Sequence, residues 1–329
     1  MPERVTPEVI RNAYRLFLGR EAESDAVVNN LAASAHTIDE LRHLFLNSSE
    51  FANKNSESFK GFGLKEIFSA YTDAYADIEV DVGDPKTLAE LNARVAKQWG
   101  LLGDSDPYWS VLTHDVYRSK NFNEISSEIF YGSGITEIDT IASFERRCGV
   151  KINRGTCFEL GCGVGRVTHL FSQIFNKVIA ADISSGNLRL CTEILQKKHV
   201  ENVECVLLRD PHGITEMDPF DLFYSVIVLQ HNPPPIQKVL ISNALSKLKQ
   251  GGYCFFQTPD WFDRADGNGS YRFRVAEFLN DSPMAMDMHC LPKHEVIKIL
   301  NEYKMKIIDI APDVCTGLFG SYTYFAVKE

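Results

Sequence analysis

Cys157-Phe-Glu-Leu-Gly-Cys-Gly-Val-Gly-Arg166 is the stretch on which the reading of this chain turns. An apolar run ends at Glu159, glycine falls at 161, 163 and 165, and Val167, Leu170 and Phe171 then recur at helical spacing. The pattern reads as strand, glycine turn, helix. Glycine has no Cβ, so a ligand can lie against the main chain, and the helix N-terminus just beyond favours a carboxylate or phosphate. An adenosine-type ligand suits that arrangement.

A dinucleotide-binding turn needs G-x-G-x-x-G, and Arg166 occupies the place of its third glycine. A nicotinamide dehydrogenase is disfavoured on that residue. The spacing here is G-x-G-x-G, with an acid two positions upstream. On these residues the chain resembles the class I S-adenosylmethionine (SAM) methyltransferases from about residue 150 to its end. The resemblance implies an α/β fold with a Rossmann-like seven-stranded sheet and SAM as cofactor. It also implies a cofactor site drawn from Glu159, Gly161, Cys162, Gly163, Gly165, Arg166, Asp182, Ile183, Asp210, Leu229 and Gln230.

The downstream segments follow in the matching order. Lys177 to Ala181 is a second apolar strand ending at Asp182, which can accept both ribose hydroxyls; Asp182-Ile-Ser-Ser185 also reads as a helix start. A third strand, Cys205 to Arg209, precedes Asp210. The resemblance sends Asp210 to the adenine amino group, while its neighbours Pro211 and Gly213 allow an ordinary loop acid. A fourth strand runs from Asp221 to Leu229, followed by Gln230-His231-Asn232 and three prolines. In the N-P-P-Y motif of amino-group methyltransferases the asparagine lies much nearer the strand's opening acid than Asn232 lies to Asp221. Asn232 therefore reads as an N-cap, with the prolines in the first turn. Ile236, Val239, Leu240, Ala244 and Leu248 give that helix one apolar face, and Gly251-Gly252 ends it. Tyr253 to Gln257 is a fifth strand, and Lys304 to Ile310 with Tyr322 to Val327 form a closing hairpin.

His231 falls where the resembling small-molecule methyltransferases often carry a histidine, which makes it the first candidate base. The long stretch between the fifth strand and Lys304 lies at the sheet's carboxyl edge, where specificity usually resides. It starts near Trp261 and contains Tyr271-Arg-Phe-Arg274 and Met284-Ala-Met-Asp-Met-His289, with methionines suited to adaptable apolar walls. His289 is the second candidate base, or else pairs with Asp287 or a carbonyl. Upstream, Asp84-Pro85 opens an amphipathic helix reaching Trp99-Gly100. In the resembling enzymes such a region folds over the cofactor. Tyr108, Trp109 and Tyr131 are its candidate pocket aromatics, core packing being the alternative.

The front of the chain is a separate helical module. Thr6-Pro7-Glu8 starts a helix with an Ile10, Ala13, Tyr14, Phe17, Leu18 stripe, which Gly19 stops. Thr37-Ile-Asp-Glu40 is a capping box for a later helix. Tyr14-Arg15-Leu-Phe-Leu18-Gly19-Arg20-Glu21, with Ser49-Glu50-Phe51, resembles a bacterial domain of unknown function with a Y-R-x-x-L-G-R-E signature. That family occurs in surface-glycan and S-layer related proteins, and the module reads as a helical spacer or docking piece. Asn53 to Lys60 is a polar linker. The expected division is a helical module over 1–58, a linker and helical cap over 59–150, and the methyltransferase domain over 151–329.

Composition sets outer bounds. A length of 329 residues with 44% hydrophobic content suits a large globular domain plus a small one. A formal charge of −10 disfavours nucleic acid as substrate. No apolar run reaches membrane-spanning length and the N-terminus lacks a signal-peptide pattern. The eight cysteines contain no C-x-x-C pair, which points to a reducing, cytoplasmic setting without structural zinc. The expected activity is methyl transfer from SAM to a small molecule, at a hydroxyl of a sugar, glycan or secondary-metabolite precursor. The front module is a possible contact for a protein or glycan-assembly partner. The alternatives are an N-methyltransferase and a catalytically silent SAM-binding protein of the same fold.

Overall fold

The computed structural model describes residues 5–35, 37–46, 48, 50, 77–82, 84–261, 271–281, 286–313 and 320–329. Contacts divide the chain into two compact units, Met1–Asp73 and Ala74–Glu329. The expected Asn53–Lys60 linker and the 58/59 boundary lie outside the described residues, as do Ser49, Phe51 and Met284.

The first unit contains helices α1 (Pro7–Leu18), α2 (Asp25–Ser34) and α3 (Ile38–Leu46). The Thr6 hydroxyl caps α1, and Gly19 closes it at φ 59°, a left-handed value that costs glycine little. Thr37 and Glu40 exchange the two bonds of a capping box, at 3.2 and 3.3 Å. Ile10, Tyr14, Leu18, Val28 and Phe45 form its core. Within the signature, Arg20 donates to Glu50 at 2.6 Å and its guanidinium lies 5.0 Å from the Tyr14 ring centroid. These signature residues therefore hold one another in place.

The second unit opens with a helical cap: α4 (Pro85–Ser105), α5 (Pro107–Val111), α6 (Glu124–Gly132) and α7 (Ile135–Cys148). Asp84 caps α4 by accepting from the Lys86 and Thr87 amides. The sheet and its helices follow as β1 (Thr156–Leu160), α8 (Thr168–Ile174), β2 (Lys177–Asp182), α9 (Ser185–Lys197), β3 (Val203–Leu207), β4 (Phe220–Ser225), α10 (Pro234–Lys247) and β5 (Leu248–Trp261). The chain ends with α11 (Val275–Asn280), α12 (Lys293–Glu302), β6 (Met305–Asp313) and β7 (Gly320–Lys328). The seven strands lie in the order β3-β2-β1-β4-β5-β7-β6. The first five pair in parallel, whereas β7 is antiparallel to both β5 and β6. This is the Rossmann-like methyltransferase sheet expected from the sequence. Successive residues of the central strands feed opposite faces. Phe158, Phe223, Phe256 and Tyr324 pack on one core, while Cys157, Leu222, Phe255 and Phe325 pack on the other. No described helix is long and apolar enough to cross a membrane.

Several boundaries differ from the sequence reading: β3 spans Val203–Leu207 and β5 extends over Leu248–Trp261, and three further differences lie around β4 and α10. β4 stops at Ser225, not Leu229. Ile227 leaves the ladder at φ 58°, its amide donating to the Gln257 side chain at 3.0 Å, and Leu229–His231 form a short 3₁₀ turn. Asn232 is not the cap of α10: its side chain donates to the Val228 carbonyl at 3.1 Å, and Pro233 takes the cap position. α10 ends at Lys247 without a glycine cap, because Leu248 pairs with Phe220 as the first residue of β5. Gly251, at φ 74°, lies at the register shift that follows.

Candidate cofactor and acceptor site

The strand order reverses between β1 and β4, and ligands of open α/β sheets bind at the carboxyl ends of the strands beside such a reversal. The glycine loop after β1 is pinned there. Gly161 and Cys162 both donate to the Ala181 carbonyl, at 2.7 and 3.1 Å. Gly161, Gly163 and Gly165 have φ of 77°, 54° and 85°. A Cβ would meet Val228 at 2.3 Å, Val111 at 2.6 Å and Cys191 at 2.9 Å, respectively. The missing side chains thus let the loop approach the end of β4, α5 and α9. The Cβ direction of Gly163 faces Val111 of the cap.

Asp182 ends β2 and is buried. One carboxylate oxygen accepts the Gly163 amide and the other the Ser184 amide, each at 2.8 Å. Burial raises its pKa, and the amide bonds oppose that rise. Glu159 is buried in β1, and burial pushes its carboxyl up to about 7. Its Oε2 has no partner among the described residues. Arg166 is held by α7: its Nη2 is 2.9 Å from Glu137 Oε1, while its buried Nε has no partner among the described residues. Glu137 also accepts the Tyr224 hydroxyl at 3.0 Å. Glu159, Arg166, Asp182 and Tyr224 border a cleft that Asn92, Trp99 and Val111 line on the cap side.

The remaining predicted residues divide between cleft and core. Cys162, Ile183 and His231 line the cleft. Leu229 is core, and Gln230 is buried beneath the 3₁₀ turn. Asp210 is exposed and caps the next turn through the His212 amide at 2.9 Å, off the cleft lining. Tyr108 stacks on Phe122 at 3.7 Å, and the Tyr131 hydroxyl donates to the Val164 carbonyl at 3.2 Å. Both fasten the cap internally and to the glycine loop and do not face the cleft. Trp109 lies under the Arg118 guanidinium at 3.4 Å. Trp261 ends β5, and its side chain lies outside what is described.

The two candidate histidines differ in what their Nδ1 atoms meet. His231 Nδ1 is 3.0 Å from the Asp287 carbonyl, so Nδ1 carries the hydrogen and Nε2 keeps its lone pair. Burial lowers its pKa to about 4, and its ring packs 4.9 Å from Trp99. His289 Nδ1 is 2.8 Å from the Tyr271 hydroxyl. Burial lowers the ring's pKa to about 3. His289 does not line the cleft but sits among Tyr271, Phe273 and Phe278.

Sequence reasoning missed Glu137, Asn92, Trp99, Val111 and Arg94. They sit on cap helices, and no local motif marks a residue whose role depends on a distant loop.

Residues 158–252 match the family model of a methyltransferase domain. No curated protein matches the chain. Similar solved structures include magnesium protoporphyrin IX methyltransferase from Synechocystis PCC 6803 with bound SAM, at 17% identity over 71% of this chain and 97% of that one, TM-score 0.47. Another is the N-methyltransferase NodS from Bradyrhizobium japonicum with S-adenosylhomocysteine (SAH), at 13% identity over 68% of this chain and 98% of that one, TM-score 0.42. The chain thus carries a segment similar to a methyltransferase domain.

The unpartnered atoms fit SAM. Its amino-acid end carries an ammonium and a carboxylate, and the loop offers Glu159 Oε2 as a buried acceptor and Arg166 Nε as a buried donor. SAM affinity is expected to fall as pH drops through about 7, because a protonated Glu159 no longer faces the ammonium with a charge. Glu159→Gln should bind weakly with little change between about pH 6 and 8. Calorimetry across that range reads both, and parallel curves for the two proteins would remove Glu159 from the site.

Proposed function

We propose that the chain transfers the methyl group of SAM to a hydroxyl of a small molecule, with His231 taking the proton. The observation that carries this reading is the Asp287 carbonyl on His231 Nδ1, which leaves Nε2 as a lone-pair base at the cleft. When bound, SAM supplies an electrophilic methyl on a sulfonium. Asp182 would accept the ribose hydroxyls, and Glu159 with Arg166 would fix the amino-acid end. Trp99 and Val111 on the cap cover the cleft against water. As the acceptor oxygen attacks, its proton passes to His231 Nε2. The front module's resemblance to proteins of bacterial surface glycans inclines the acceptor towards a sugar or glycan precursor.

Two tests follow. With SAM saturating, turnover of a hydroxyl acceptor should stay level from about pH 8 down to about 5, since His231 is a free base throughout that window. A limb centred near 6.5, the ordinary histidine value, would mean that the base is a solvated histidine elsewhere. Second, a chain shortened to begin at Ala74 should fold and bind SAM with full-length affinity, because the second unit carries its own core and the whole cleft. Loss of SAM binding in a folded shortened chain would tie the front module to the cofactor site.

A further inference from the structure

Two residues of one cap helix bear on His231. Trp99 of α4 packs on the ring directly, at 4.9 Å. Arg94 of the same helix bears on it from the other side, through the residue that supplies the Nδ1 partner. Arg94 Nη1 donates to the Asp281 carbonyl at 2.7 Å, the guanidinium lies 4.1 Å from the Phe278 ring centroid, and Nη2 faces Asp287 Oδ2 at 4.0 Å. Both side chains of that ion pair are largely buried, 13% and 10% exposed. A planar fork that serves a carbonyl, a ring face and a carboxylate together is particular to arginine. One side chain of the cap thereby fixes α11, its end at Asp281, and Asp287.

We infer that Arg94 is a positioning residue for the base: it holds Asp287 so that the Asp287 carbonyl stays on His231 Nδ1. The inference rests on His231 acting as the base. Asp287 lies in the irregular stretch before α12, where no strand ladder sets the direction of its carbonyl. Downstream, His289 and Leu291 are tied by main-chain bonds to the Gln230 and Pro259 carbonyls, at 2.7 and 3.0 Å. At Asp287 the side chain adds a grip on Arg94. The partner of Nδ1 decides which ring nitrogen carries hydrogen, so a carbonyl that drifts away frees the ring to adopt the other tautomer. With hydrogen on Nε2 the ring presents an N–H to the cleft and takes no proton from the acceptor. Arg94 is not among the residues that line the cleft, so it acts through Asp287 and not on cofactor or acceptor. Among the described residues, the charged and titratable groups around the ring are Arg94, Asp287 and His289.

The test uses the full chain with SAH bound and its histidines labelled with nitrogen-15, the His231 signals being those lost in His231→Ala. NMR reads the tautomer and the charge state, and calorimetry reads SAH affinity. The native ring is expected as Nδ1–H and neutral down to about pH 5, in keeping with its pKa of about 4. Arg94→Met should bring in the Nε2–H form and raise the midpoint by at least about one unit towards the ordinary 6.5, with SAH affinity within about threefold of native. Arg94→Lys, which keeps the charge without the fork, should shift less. Asp287→Asn separates positioning from simple charge. Loss of a nearby anion lowers a histidine's pKa, whereas a loosened carbonyl and the entry of water raise it, so the expected midpoint is higher. Where Arg94→Met does not fold, the two milder variants carry the same reading. If the native ring is Nδ1–H and the folded variants match it, Arg94 is only a structural tie; the inference falls and His231 stands as base. If the native ring carries its hydrogen on Nε2, the base assignment falls and the inference with it. A native chain that does not bind SAH removes the methyltransferase reading and both with it.

Discussion

Asp182→Ala is expected to reduce SAM affinity by at least about two orders of magnitude, since two bonds to a charged group contribute about 1.5–3 kcal/mol each. The carboxylate has two tasks. In the proposed reading it accepts the ribose hydroxyls, and it accepts the Gly163 and Ser184 amides on either side of the loop. Alanine removes the ribose contact and leaves the Gly163 N–H buried without a partner. Asp182→Asn keeps one acceptor oxygen and should fall between alanine and the native residue. Gly163→Val reaches the same end by another route. It forces a branched residue to φ 54° and drives its Cβ into Val111 at 2.6 Å, so the cap must lift. Calorimetry measures the affinities, and circular dichroism shows whether the fold persists. Native SAM affinity in Asp182→Ala would sink the cofactor assignment.

His231→Ala is expected to keep SAM affinity and lower turnover by about two orders of magnitude, the usual worth of a positioned general base. His231 sits in the 3₁₀ turn after β4, its ring fixed on one side by the Asp287 carbonyl and on the other by Trp99. The turn is anchored from below by Gln230, whose carbonyl accepts the His289 amide. The carboxyl end of β4 is under backbone strain, because Ile227 is a β-branched residue at φ 58°. That strain turns the chain out of the sheet into the cleft. His289→Ala should cost less turnover, because its ring lies off the cleft lining. Turnover and KM measured for both variants against one acceptor decide the matter. A His231→Ala protein with native turnover would make this residue a structural histidine.

The sequence by itself determined the sheet and the cofactor loop. Apolar runs of strand length, each followed by a helical pattern, admit few topologies, and glycines at 161, 163 and 165 after a buried acid specify a close-approach turn. Asp182 was legible for the same reason: the end of a strand fixes where a side chain emerges, whatever packs around it. The tertiary structure alone decided what the cap does. Tyr108, Trp109 and Tyr131 had the composition of pocket residues, yet they pack on Phe122, Arg118 and the Val164 carbonyl. Trp99 and Val111 face the cleft instead. Helical periodicity shows that a face is apolar but not which neighbour it meets, so aromatic composition could not tell core from pocket. The same holds for the histidines. Both were visible as residues. Their partners, a carbonyl at Asp287 for His231 and a hydroxyl at Tyr271 for His289, are contacts that exist only once distant segments are brought together.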